Sequence, residues 1–270
     1  KRFGYESMDV IFDEVHHLMI QQYLEKHRCM DLNKVLQTTR KETLIKLIKN
    51  DDIKYKFFEC LIEVPYERAF KLVKETFLRS RDANIYLYLE RMSHSLGLLD
   101  EALDFSAKVD MVNDDKVLSE EFLHRFVIIN EKNNDLLLDK FFLYAKYNEQ
   151  YIKNNENNPV IIDFYYQYFL HLSQRNKIKE SLSYLEKLYL KQNEVKAYVY
   201  SPFVEMELSR YERKKNNKEE AIRYLKEALI NTRRIKNNDL VQIYYDLMKL
   251  YESLDNKNQK EEFLLKCKSV

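Results

Sequence analysis

The chain has 270 residues, of which 45 are basic and 44 acidic, and it contains only 2 Gly and 3 Pro. Average usage is about 7% Gly and 5% Pro. A chain this poor in turn formers is badly suited to sheets, while its many Leu, Lys and Glu residues favour an all-α fold. A net charge of +1 argues against a general nucleic-acid binder, which carries a basic excess or stripe. No apolar run of about 18 residues is present that could insert into a membrane.

In chain order, residues 1–64 predict irregular helices. Ser7 could cap 9–27, Thr39 with Glu42 forms a capping box before 43–50, and Asp51 or Asp52 could cap 53–64, which stops before Pro65. From residue 65 to 270 a regular pattern takes over. YERAFKLVKETF (66–77) presents Ala69 and Val73 on one face. NIYLYLERMSHSL (84–96) is followed by GLLDEALDFSAKV (97–109), with Ala102, Ser106 and Val109 on one face. DKFFLYAKY (139–147) is a poorer copy, with Phe141 and Ala145, and the polar YIKNNENNPV (151–160) reads as a long turn. IIDFYYQYFLHLSQ (161–174) leads into NKIKESLSYLEKLYL (176–190), with Ser181, Leu185 and Leu188. FVEMELSRYERKK (203–215) leads into NNKEEAIRYLKEAL (216–229), with Ala221, Leu225 and Ala228. DLVQIYYDLMKLYESL (239–254) leads into NQKEEFLLKCK (258–268), where the same register selects Leu264 and Cys267.

Spacings of four and seven residues lie close to whole helical turns, so each set forms a stripe, and its small residues admit a neighbouring helix. Two helices and a polar turn, recurring every 33 to 40 residues, predict an α-solenoid of stacked antiparallel helical hairpins with about ten to thirteen helices. The units resemble tetratricopeptide repeats, through Leu89, Gly97 and Ala102 in one and Leu208, Ala221 and Ala228 in another. That resemblance covers roughly residues 66–270 and implies a protein-binding scaffold.

Chemistry is sparse. His16, His17, His27 and Cys29 form the one candidate metal cluster, but adjacent histidines diverge by about 100° on a helix and do not converge on an ion. Cys29, Cys60 and Cys267 are too few and too scattered for a disulfide framework. Two glycines build no phosphate loop, and no nucleophile elbow is present. The sequence therefore predicts no metal, no cofactor and no enzyme. Its basic runs, 210–218 and 233–236, read as solvated helix ends.

The surplus is aromatic: 21 Tyr and 15 Phe without Trp. One helix face cannot bury Tyr165, Tyr166 and Tyr168 together. Tyr86, Tyr165, Tyr168, Tyr198, Tyr200, Phe203 and Tyr244, on or beside the first helices of hairpins, are the candidates for a concave surface that binds a protein or peptide, where Tyr supplies contact area at low entropic cost. The Asn-, Lys- and Tyr-rich texture is also similar to the repeat portion of the paralysed-flagella scaffold proteins, which implies a structural part in a bacterial flagellar motor and a periplasmic location. The alternative is a peptide-sensing regulatory receptor with tetratricopeptide-like repeats, and the sequence leaves the compartment of a soluble protein open between periplasm and cytoplasm. A chain that begins at Lys1 is read as a fragment or a processed product.

Overall fold

A chain with so little glycine still has to reverse direction at every hairpin. The structure, a computed structural model, describes residues 15–16, 18–24, 28–39, 52–62, 64–80, 82–112, 115–235 and 240–269. These are helical, and no strand occurs among them. After a helical stretch at 18–24 come α1 (Cys29–Thr38), α2 (Asp52–Leu61), α3 (Tyr66–Thr76), α4 (Ala83–Ser95), α5 (Leu99–Val112), α6 (Asp115–Glu131), α7 (Asp135–Tyr147) and α8 (Glu149–Asn154). They are followed by α9 (Ile161–Gln174), α10 (Ile178–Val195), α11 (Phe203–Lys214), α12 (Lys218–Ile235), α13 (Leu240–Ser253) and α14 (Lys257–Ser269). The sequence reading has no element for α6 and reads the last four residues of α8 as turn, so the helices outnumber its ten to thirteen. Ser7, Glu42 and Asp51, three of the proposed caps, lie outside the described residues, as do His17 and His27. Among the described residues no helix is long and apolar enough to cross a membrane.

The chain divides into two compact units, Lys1–Glu156 and Asn157–Val270. The division falls within the Asn-rich 151–160 stretch and not at 64/65. Residues on both sides of Pro65 share one apolar core, in which Phe57, Phe58 and Leu61 pack with Ala69, Phe70, Val73, Ile85 and Leu89. Cutting at Pro65 would split that core.

In the first unit α2 packs on α3, α4 on α5, and α6 on α7, while the short α8 packs against both α6 and α7. In the second unit the hairpins α9/α10, α11/α12 and α13/α14 follow one another, with α10 against α11 and α12 against α13. Within each unit a hairpin thus touches the next, which is the tetratricopeptide-like solenoid arrangement. The small residues of the stripes face inward: Ala69, Ala102, Ala145, Ser181, Ala221 and Ala228 are fully buried. The stripe fails only in the last helix. Leu264 is exposed and Cys267 half-buried, while Phe263 is buried and stacks on Tyr251 at 5.7 Å.

Asparagine replaces glycine at the turns. Gly97, Asn133, Asn176, Asn216 and Asp255, each just after a hairpin's first helix, adopt φ of 74°, 50°, 56°, 62° and 54°. The residue that follows bonds back to the helix in four of these turns: Leu98 to Ser93, Lys177 to Leu172, Asn217 to Glu212 and Asn256 to Tyr251, at 2.9–3.0 Å. This left-handed cap satisfies carbonyls at the helix end, and Asn and Asp tolerate it better than other side chains that carry a Cβ.

Candidate interaction groove

The second unit carries an open groove between α9 and α11, the first helices of consecutive hairpins. Its volume is about 700 Å³, and its walls are Phe169, Leu170 and Ser173 from α9 with Phe203, Glu207, Arg210, Tyr211, Arg213 and Lys214 from α11. Both sets keep helical spacing, 169, 170 and 173 on one helix and 203, 207, 210, 211 and 214 on the other, so each wall is a single face.

The aromatic content of α9 is split between two neighbours. Tyr165 and Tyr168 turn towards α10 and meet Tyr184, at 5.8 and 4.5 Å between ring centroids. Tyr166 turns the other way and stacks on Tyr200 at 4.0 Å, with its edge to Phe203 at 5.5 Å. Phe169 meets Phe203 at 6.0 Å. The result is an aromatic cluster of Tyr166, Tyr200, Phe203 and Phe169, which reaches the groove through Phe203 and the edge of the buried Phe169.

The segment that carries Tyr200 is tied down by polar groups. The Tyr200 amide donates to Oε1 of buried Gln192 (3.0 Å), and its hydroxyl donates to Asp163 (2.5 Å). Burial and the Asp163 carboxylate hold that phenol above its ordinary pKa, so it stays a donor. Ser201 and Asn231 donate to Oε1 of buried Glu205, at 2.6 and 2.8 Å, which fastens the loop to α11 and α12. Burial pushes the Glu205 carboxyl up, although these donors oppose the shift.

The other wall is charged. Arg210, Arg213 and Lys214 are exposed, and Glu207 is the lone carboxylate in the lining. Arg210 pairs with Glu207, Arg213 lies 3.5 Å from Asp246 on α13, and Lys214 stands over the Tyr211 ring at 5.6 Å. The Tyr211 hydroxyl is in turn 3.1 Å from Ser181. Cations along an aromatic floor make a surface that favours anionic, partly apolar ligands.

No protein-family model and no curated protein matches the chain. Two solved structures are similar to it over most of its length. BtubC from P. vanneervenii is 15% identical, with 95% of this chain and 90% of that one covered and a TM-score of 0.38. A putative kinesin light chain from P. anserina, described as having nearly identical TPR-like repeats, is 11% identical, with 95% and 92% covered and a TM-score of 0.34.

The sequence-derived candidates do not form one surface. Phe203 lines the groove, Tyr200 is joined to it through Tyr166, and Tyr198 is half-buried in the loop before them. Tyr165 and Tyr168 are buried at 3% and 4% exposure, against α10, and so do not present their rings to a partner. Tyr244 is also buried, with Phe263 at 6.0 Å. Tyr86 lies in the other unit, where its hydroxyl donates to the Ser80 carbonyl and Lys108 stands 5.7 Å from its ring. The residues that reasoning missed are Tyr166, Phe169 and the three cations. The signal was present: Phe203, Glu207, Arg210, Tyr211 and Lys214 fall at helical intervals, so a cationic run read only as a solvated end shares a face with an aromatic.

Among the described residues no group of His, Cys, Asp and Glu is placed to hold a metal ion. Burial pushes the Cys60 thiol up, which makes it a poor nucleophile.

Proposed function

We propose that the protein is a non-catalytic interaction scaffold, and that the groove between α9 and α11 binds an acidic segment of a partner protein that also carries an apolar or aromatic side chain. What supports this is the juxtaposition of the half-buried Phe203 and Tyr211 rings with the exposed Arg210, Arg213 and Lys214 along one groove. An apolar anchor would lie on the rings, where contact area gives affinity, while carboxylates meet the cations, which give orientation and association rate. The test is calorimetric titration with matched peptides of about a dozen residues, acidic or basic, each with one aromatic. Acidic peptides should bind, more weakly at high salt, and Arg210→Glu with Lys214→Glu should abolish binding. Equal binding of both peptides would remove the basis for the proposal.

A peptide-sensing receptor is the second reading, because a groove of about 700 Å³ lies in the range of small-ligand sites, roughly 300–1,000 Å³. It predicts that a short free peptide binds as tightly as the same segment in a folded partner. A structural place in a bacterial flagellar motor rests on sequence texture alone, and its test is co-purification with isolated motor basal bodies.

A further inference from the structure

The first unit holds a chain of four titratable side chains that the groove does not use. Glu90 and His94 lie one turn apart on α4, and His124 and Glu131 lie two turns apart on α6. Each pair therefore shares a helix face. Glu131 Oε2 is 2.8 Å from His94 Nε2, His94 Nδ1 is 2.8 Å from His124 Nε2, and His124 Nδ1 is 2.8 Å from Glu90 Oε1. The chain runs from a half-exposed carboxylate at 51% to one at 0%. The Glu90 Oε2 atom is buried without a hydrogen-bond partner.

We propose that Glu131–His94–His124–Glu90 is an acid-sensitive clasp between α4 and α6, which holds three protons when closed and opens when the two rings acquire a fourth. Each of the three contacts needs one bridging proton. Neutral rings that both donate through Nε2, with the proton of Glu90 donated to His124 Nδ1, satisfy all three. Two imidazolium rings cannot coexist here, because His94 Nδ1–H and His124 Nε2–H would point at each other across 2.8 Å.

The surrounding charges act on the two ends of the chain differently. Burial, followed by Arg91 and His94 on α4, holds the His124 ring far below its ordinary pKa, against the pull of Glu131. Burial raises Glu90 to about 7, against the pull of Arg91, Arg125 and His94 and with the support of Asp110. Arg125 on α6 is engaged elsewhere. It donates to Glu121 at 2.7 Å and to both carboxylate oxygens of Asp110 on α5 at 2.8 and 2.9 Å, beneath the ring of Tyr144 on α7.

The direction follows from proton counting. Opened, the rings titrate near pH 6.5 and the carboxylates near pH 4.3. Between those values the open state holds four protons on these groups and the closed state three. The opening equilibrium therefore rises about tenfold per unit as pH falls below roughly 6.5. The depressed ring supplies stability that is present above the ordinary His pKa and lost below it.

The test is amide hydrogen exchange of the full chain between pH 5 and 7.5, corrected for intrinsic rates, together with nitrogen NMR of the histidine rings. We expect amides in 84–95 and 115–131 to open about tenfold faster per unit below pH 6.5, while those in 161–269 do not. In His94→Gln the open and closed counts become equal, two protons each, and the slope should vanish. A flat wild-type profile, an unchanged slope in His94→Gln, or both rings becoming cationic near pH 6.5 with α4 and α6 still protected would each overturn the clasp. The ring measurement needs no variant, so a misfolded substitution leaves the proposal testable.

Discussion

Substituting Ala221→Leu probes the register on which the hairpin description depends. Ala221 has 0% exposure and lies in a core with Met206, Leu225, Ala228, Ile243 and Leu247. Leucine adds three carbons at a helix crossing, where axes stand about 8–10 Å apart and interiors have no spare volume. Overpacking of this kind costs about 1–3 kcal/mol. For a unit of this size each kcal/mol lowers Tm by roughly 4–8 °C, so a fall of at least about 4 °C is expected. The control has to be chosen with care. Arg223 has the spacing of an outer-face residue, yet it pairs with Glu220, lies 2.6 Å from Glu227 and 3.3 Å from the Tyr189 hydroxyl, and covers the Tyr224 ring at 4.2 Å. Glu219, which is exposed, is the better site, and Glu219→Gln should change stability by less than about 0.5 kcal/mol. Urea unfolding measures both, and hydrogen exchange locates the damage, which should be concentrated in α11–α14 because solenoid hairpins are coupled mainly to their neighbours. If Ala221→Leu proved as mild as Glu219→Gln, the close-packed face would be wrongly assigned.

Three further outcomes are expected. Asn216→Gly should be neutral or slightly stabilising, because glycine has no Cβ to oppose a φ of 62°; Asn216→Val should cost about 1–2 kcal/mol in urea unfolding. Arg125→Met should destabilise the first unit by about 3–5 kcal/mol in the same assay, because it leaves the fully buried Glu121 carboxyl without its partner at 2.7 Å; Glu121→Gln introduced alongside should recover much of that loss. Replacing Arg213 and Lys214 by Ala should weaken binding of an acidic peptide and flatten its salt dependence in calorimetry, with little change in Tm, since both side chains are exposed.

Helical class, hairpin pairing and the positions of the small residues were legible because one physical requirement, close approach of two helices, repeats along the chain. Ala69, Ala102, Ser181 and Ala221 all carry that signal and are all buried. The last repeat was misread because its stripe carries a large residue instead of a small one: Phe263 takes the inside and stacks on Tyr251. The turns were legible only as polar; which Asn would be left-handed is visible only in the backbone. The site was half legible. Sequence shows that Tyr165, Tyr166 and Tyr168 cannot all face one way, but it does not show which neighbour claims which ring. Here α10 claims Tyr165 and Tyr168, and the Tyr200 loop claims Tyr166. The Glu90–His124 chain was invisible because its members lie 34 residues apart and only the packing of α4 on α6 joins them.

Amide chemical-shift mapping with an acidic, aromatic-containing peptide tests the proposed function most directly. The account predicts that the perturbed amides cluster in 166–173 and 203–214, and that they fall silent in the Arg210→Glu, Lys214→Glu variant while the remaining spectrum is unchanged. Perturbations centred on the outer helices α10, α12 or α14, or none at a peptide excess that saturates a micromolar site, would contradict it.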